Sequence, residues 1–361
     1  MRIVMFYHTL VSDWNHGNAH FLRGVVSELL ARGHDVEVFE PAEAWSVRNL
    51  LAAHGEEPIQ KFHKAYPHLR STCYNLEDLD LSEALDDAEM VIVHEWNAPE
   101  LVRRVGEHRS RVGCYQLFFH DTHHRMITAP ESMERYDLAN YDGVLAYGKG
   151  LEEIYKASGR VQQAWTWHEA ADTRLFAPLP GITPEKDLVW IGNWGDGERT
   201  AELEEFLIQP VKALALTARV YGVRYPQEAV AALASANIEY AGWLPNFEVP
   251  RVFANFKLTL HIPRAPYVRA LPGIPTIRVF EALACGIPLI CSPWEDAEGL
   301  FRPGQDFLVA RNSKEMGRHL RALLNDAGFR DELAANGLNT IRSRHTCAHR
   351  VDELLAIQAP L

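Results

Sequence analysis

Residues 275–293, PTIRVFEALACGIPLICSP, decide how this chain is read. The stretch carries a helix from about Thr276 to Cys285, entered through LPGIP (271–275) and stopped at Cys285-Gly286, and then an unbroken apolar strand, IPLICSP. A helix that feeds straight into a buried strand belongs to the interior of an α/β domain. An acid on such a helix needs a partner, because an unpaired carboxylate is costly to bury. Glu281 has two candidates: Arg278 three positions earlier, or the hydroxyls of a bound ligand.

Outward from this stretch, the same alternation fills the second half of the chain. DLVWIG (187–192), ARVYG (218–222), IEYAGW (238–243), KLTLHIP (257–263) and DFLVA (306–310) read as further strands, with helical stretches between several of them. The first half repeats the pattern. RIVMFYHTL is a strand, and Phe21, Leu22, Val25, Val26, Leu29 and Leu30 then share one helical face before Gly33. VEVFEP closes a β-α-β unit, and EMVIVHEW (89–96), RVGCYQLFFHD (111–121) and YDGVLAYG (141–148) continue it. Between the halves, LFAPLPGITPEK (175–186) gathers three prolines and a glycine, as an exposed linker does. The expected organisation is α/β: a doubly wound, Rossmann-like domain over 1–175, a second over 176–343, and a C-terminal helix over 344–361 that packs back on the first. Two such domains imply a central cleft, with ligands at the C-terminal ends of strands.

Bulk properties narrow the function. A chain of 361 residues with 47% apolar and 23% charged residues has ample core for two domains. The formal charge of −12 disfavours a nucleic-acid partner. The opening MRIVMFYHTL lacks the regions of a signal peptide and no segment has the length of a membrane span, so the expectation is a cytoplasmic protein without a transmembrane segment. Five cysteines without a CxxC pair suit buried, reduced thiols.

Three loops after strands are candidate sites. Gly17-Asn18 opens the first helix, where backbone N–H groups can meet an anionic or hydroxyl-rich ligand, or where Asn18 is an ordinary cap. FFHDTHHR (118–125), with three histidines and an acid, could bind a metal, act as acid or base or hydrogen-bond a sugar. Spacing decides little, but its place after a strand suggests a polar loop at a cleft edge, with His120 and Asp121 as candidates and no metal expected. IGNWGDGERTAE (191–202) places Gly192, Asn193 and two more glycines before Glu198-Arg199, a layout suited to a diphosphate. Trp14, Trp194 and Tyr267 suit stacking on a ring or packing at a rim.

These residues resemble a known family. RVFEALACGIPLICSPWEDAEGLFRPGQDFLVA (278–310) is similar to the nucleotide-sugar signature of GT-B glycosyltransferases, and YDGVLAYGKGLEEIYKASG, HEAADTRLFAPLP and GWLPNFEVPRVFANFKLTLHIPR resemble its other conserved units. PTIRVFEALACG with WIGNWGDGER looks most like the spore-maturation-protein (CgeB-like) branch, near the retaining family 4. The resemblance implies a GT-B fold and transfer of a sugar from a nucleoside-diphosphate-sugar, a UDP-sugar as first choice, to a glycan, small-molecule or protein acceptor. It implies retention, no metal and no tightly bound cofactor.

By the same resemblance Glu281 binds the donor ribose, so that its loss weakens nucleotide binding with little effect on stability. His120 faces the sugar, and Arg199 neutralises the diphosphate. The family's second acid is replaced by Gly273, so the sugar would be held by backbone N–H groups of LPGIP, around Gly273, Ile274 and Thr276. Its usual arginine is replaced by Asn193, which leaves Arg199, Arg264, Arg269 and Arg278 as candidates for the positive charge. A nucleotide-sugar epimerase and a non-catalytic nucleotide-sugar-binding protein are the competing readings.

Overall fold

The computed structural model describes residues 1–357 except Asp196 and Pro272. Those two, within the glycine loop and LPGIP, and residues 358–361 of the predicted terminal segment lie outside the described residues. The chain divides into two compact units: one is Met1–Glu169 together with the residues from Cys347 onward, and the other is Ala170–Thr346.

The first unit is built on seven parallel strands: β1 (Arg2–Phe6), β2 (Asp35–Pro41), β3 (Thr72–Tyr74), β4 (Met90–His94), β5 (Gln116–Asp121), β6 (Gly143–Ala146) and β7 (Ala164–Thr166). Their order is β3-β2-β1-β4-β5-β6-β7. β1 lies beside β2 in the register Ile3↔Val36 and beside β4 in the register Ile3↔Met90, which is why Ile3 to Phe6 are wholly buried and read as one apolar run. The order reverses between β1 and β4, so the loops after these two strands diverge and leave a crevice at the sheet's C-terminal edge.

The second unit repeats the scheme with β8 (Lys186–Ile191), β9 (Ala218–Tyr221), β10 (Ile238–Tyr240), β11 (Phe256–His261), β12 (Leu289–Cys291) and β13 (Leu308–Val309), ordered β10-β9-β8-β11-β12-β13. Its reversal falls between β8 and β11. The helix of the opening stretch spans Ile277–Ala284, with Thr276 and Cys285 as its caps, and it leads into β12.

Three features depart from the sequence reading. β3 and β7, three residues each at the two edges of the first sheet, are too short to show a period. The predicted strand 111–121 begins instead as the end of helix Pro99–Val112, which Gly113 terminates in the left-handed conformation at φ 70°. Cys73 and Cys114 are exposed, whereas Cys285, Cys291 and Cys347 are buried.

The Pro-rich stretch 175–186 lies inside the second unit, where Phe176 is buried in one core cluster with Val279 and Phe280. The last helix, Cys347–Ala356, is part of the first unit. There the Trp167 indole donates to the Arg350 carbonyl at 2.8 Å, and Arg350 Nε donates to the His168 carbonyl at 3.0 Å. Among the described residues no helix is long and apolar enough to cross a membrane.

Candidate functional site

In the second unit, polar groups gather where β11 and β12 end and helix Ile277–Ala284 begins. His261, the last residue of β11, is buried, and its Nε2 pairs with Thr276 Oγ1 at 3.1 Å. Thr276 sits at the helix N-cap but its hydroxyl makes no capping bond, so the first-turn N–H groups keep their capacity for a ligand. Among the described residues, His261 Nδ1 has no partner, and neither has the buried indole nitrogen of Trp294, whose ring meets His261 edge-on at 6.1 Å. Burial pushes the His261 imidazole down to about 3, helped by the positive charges of Arg199 and Arg278. A neutral histidine within the influence of two guanidiniums, one of them paired with Glu281, stands at an uncapped helix N-terminus whose N–H groups favour an anion.

Glu281, at 0% exposure, faces this region from the same helix. Its Oε1 accepts from Asn246 Nδ2 at 2.5 Å, and its Oε2 is paired with Arg278. The sequence identified the arginine; Asn246, brought in from the turn Asn246–Glu248 after β10, became visible only in the fold.

The glycine loop after β8 is tied down by its own residues. Gly192 accepts from the Tyr225 hydroxyl at 2.7 Å, and Asn193 Oδ1 accepts from the Val223 N–H at 2.8 Å. Arg199 donates through Nε and Nη2 to the Asn193 carbonyl and through Nη1 to the Ile262 carbonyl, at 3.0, 2.6 and 2.8 Å. It therefore straps the loops after β8 and β11 together across the strand-order reversal. Burial, with the charge of Arg264, pushes its guanidinium down to about 10, still protonated at neutral pH.

The other two arginines stand further out. Arg264 pairs with Glu198 at 3.3 Å, and Arg269 is 77% exposed on the short helix Ala265–Arg269. Arg278 is thus the arginine placed with His261, Thr276 and Glu281. Gly273 lies at φ +92°, and a Cβ there would stand 2.8 Å from the Ala297 Cβ. The acid that the family pattern would put at this position does not fit this backbone, and Ile274 beside it is buried. Trp194 is buried, its indole donating to Thr200 Oγ1 at 3.0 Å.

In the first unit, His120, the last residue but one of β5, is buried among the rings of Tyr7, Phe21, His94 and Trp167. Its Nδ1 pairs with the Tyr7 hydroxyl at 2.7 Å, its Nε2 is unpartnered, and burial pushes it down to about 3. His120 thus presents no surface of its own, contrary to an exposed cleft-edge residue. Asp121 is also structural here. Its carboxylate accepts from the Tyr155 hydroxyl at 2.7 Å and the His123 N–H at 3.0 Å, and burial raises it to about 6.

Asn18 precedes helix Ala19–Ala31, but its side chain makes no capping bond, so the ordinary-cap reading does not hold. At 7% exposure its amide oxygen and nitrogen both lack partners, and Gly17 beside it is exposed. Among the described residues, no three His, Cys, Asp or Glu side chains converge as a metal site.

Several residues of these sites escaped the sequence reading. Asn246, His261 and Trp294 stand alone in polar or apolar runs, and only KLTLHIP, with a histidine ending an apolar strand, carried a signal. His8 and His94 had the same signal, a histidine at or just past a strand end in HTL and VIVHEW, whereas His16 lies deep in the loop after β1 and had none.

Comparison with known proteins agrees with this fold. Residues 199–356 match the family described as "Glycosyl transferase-like". No curated protein matches the chain. Among solved structures it is similar to sucrose-phosphate synthase from Thermosynechococcus elongatus, at 13% identity over 98% of this chain and 97% of that one, with a TM-score of 0.68. It is also similar to Anabaena HepE in complex with UDP and glucose, at 13% identity over 98% of both chains and a TM-score of 0.64. A third similar structure is an alpha-glucosyltransferase in complex with UDP and a 13-mer DNA, at 9% identity over 98% of both chains and a TM-score of 0.68.

With its two parallel sheets, the chain has the α/β GT-B fold. The expectation against a nucleic-acid partner, drawn from net charge, finds no support in a neighbour that holds DNA.

Proposed function

We propose that the protein is a glycosyltransferase that moves a sugar from a nucleoside-diphosphate-sugar, with uridine as the base, to a hydroxyl-bearing glycan, small molecule or protein. The observation that carries this reading is neutral, half-satisfied His261, under the charges of Arg199 and Arg278, at the uncapped N-terminus of helix Ile277–Ala284. A diphosphate suits this place, because its charge meets the uncapped first-turn N–H groups, and the Arg278 guanidinium, held by Glu281 through Nη1, has further N–H donors to offer. The UDP held by two similar proteins supports the choice of base.

Within the proposal, Glu281 and Asn246 receive the ribose, and the backbone around Gly273, Ile274 and Thr276 receives the sugar. As the departing phosphate oxygen gains charge, Arg278 and the helix terminus stabilise it; the loop strapped by Arg199 stays in place and costs little reorganisation. Retention and independence of a metal belong to the proposal through the family resemblance, as does membership of the spore-maturation branch.

A thermal-shift screen against UDP, GDP, ADP, CMP and dTDP tests the donor half. Selective stabilisation of about 3 kcal/mol is expected at a hundredfold excess over Kd, and Arg278→Met should abolish it. If no nucleotide stabilises the protein, or if Arg278→Met responds like the parent, this site assignment fails. Proton NMR of the first product anomer then decides retention.

A further inference from the structure

The first unit contains an aromatic cluster that the donor site does not use. Trp14, Trp45 and Trp96, each half-buried, come from the segments that follow β1, β2 and β4. They form one cluster about Trp45 and His8: the His8 ring lies 5.0 Å from Trp45 and 6.5 Å from Trp96, while Trp14 meets Trp45 edge-on at 6.1 Å. Beneath them His16 contacts His8 at 5.3 Å, and the buried Nε2 of His16 has no partner. The amide of Asn18, two residues on, is likewise buried and unpartnered. The cluster lies at the strand-order reversal between β1 and β4, where parallel sheets hold ligands.

The loops that carry the rings are anchored from below. Arg23, at 0% exposure, donates to the carbonyls of Leu10 and Val11 at 2.8 and 3.0 Å and pairs with Asp13 at 2.8 Å. Ser46 Oγ donates to the Trp14 carbonyl at 2.7 Å, and the Ser46 N–H donates to His8 Nε2 at 3.3 Å. Arg125, paired with Glu95, lies over the Trp96 ring at 4.6 Å. Each cation flanking the rings is thus matched by an acid. Burial also holds His8 at about 4 and His16 well below its ordinary value, so both are neutral at pH 7.

Rings held in place, neutral surroundings and unpartnered polar atoms suit a ligand with an apolar face and hydroxyl edges. From this, and resting on the transferase reading above, we infer that Trp14, Trp45 and Trp96 form the acceptor platform and that the acceptor is an uncharged saccharide. Its pyranose C–H face lies on the indoles, and its hydroxyls reach His16 and Asn18. A charged acceptor would meet no unmatched counter-charge here.

Saturation-transfer NMR with lactose and methyl β-D-glucopyranoside as neutral probes, and glucose 6-phosphate and glucuronate as charged ones, tests this on the whole protein. Neutral saccharides should bind, and Trp96→Ala or Trp45→Ala should weaken them at least tenfold while UDP affinity stays within twofold. Trp45→Phe, which keeps an aromatic face, should bind to within about threefold of the parent and guards against simple misfolding. Equal binding of the charged probes, or undiminished binding by both alanine variants, overturns the platform. Saccharide binding without any nucleotide binding leaves the platform standing and overturns the donor reading; nucleotide binding without saccharide binding does the reverse.

Discussion

Glu281 shows how a single side chain serves structure and ligand at once. Asn246 holds one carboxylate oxygen and Arg278 the other, so the group that would meet a ribose also ties two elements together. The structural share is large because the group is fully buried. Glu281→Ala strands the Asn246 amide and the Arg278 guanidinium, and a loss of roughly 2–4 kcal/mol in urea unfolding is expected, together with weakened UDP binding. This replaces the small stability effect expected from sequence, where Asn246 had not been seen beside it. A variant as stable as the parent would show that the pair holds nothing together. The sequence made the acid and its i−3 arginine legible because a helix fixes that spacing. Asn246 is 35 residues away, and no local rule reports such a pair.

At the scale of elements, the loop entering helix Ile277–Ala284 is as constrained as the helix itself. Gly273 combines a positive φ with an Ala297 contact that leaves no room for a Cβ. Gly273→Ala should cost about 1–3 kcal/mol from backbone strain alone and should shift Ala297. Since Ile274 and Thr276 follow within three residues, the same substitution should raise the UDP Kd several-fold, which calorimetry would read. Unchanged stability and affinity would mean that the loop relaxes freely. The glycine was legible in sequence as a departure from a family pattern, but its reason was not, because φ and the approach of Ala297 are properties of the folded chain. Strand ends were the clearest local signal, with β1, β8 and β11 each showing an apolar run that stops at a polar residue. The edge strands β3 and β7 had too few residues to show one.

At the scale of the molecule, the buried histidines set an acid limit. His8, His120 and His261 are held at about 4, 3 and 3, well below the value of about 6.5 that they regain on unfolding. A folded value depressed in this way contributes stability above pH 6.5 that is lost as pH falls towards the folded value. At pH 5 each costs about 2 kcal/mol, so the three together rival the whole stability of a typical domain. Asp121 works in the opposite sense: raised to about 6, it favours the folded state below pH 4 and loses that contribution as pH rises through 6, which softens the acid limit without removing it. Tm should therefore fall steeply between pH 6.5 and pH 5, and His120→Gln should flatten the slope. A Tm constant over that range would contradict the buried, neutral state of these rings.

The sequence by itself determined the two alternating α/β halves, the helix of 275–293 and the acid on it, because period, capping and i−3 spacing act over a few residues and leave their mark in the string. Tertiary structure alone decided which groups met. It turned Arg199 into a strap between two loops, enclosed His120 and Asp121, left Asn18 and His261 with unmet hydrogen bonds among the described residues, and gathered three tryptophans from separate segments into one cluster with His8. Those outcomes depend on strand order, and strand order is set by which buried faces fit against one another across the whole sheet.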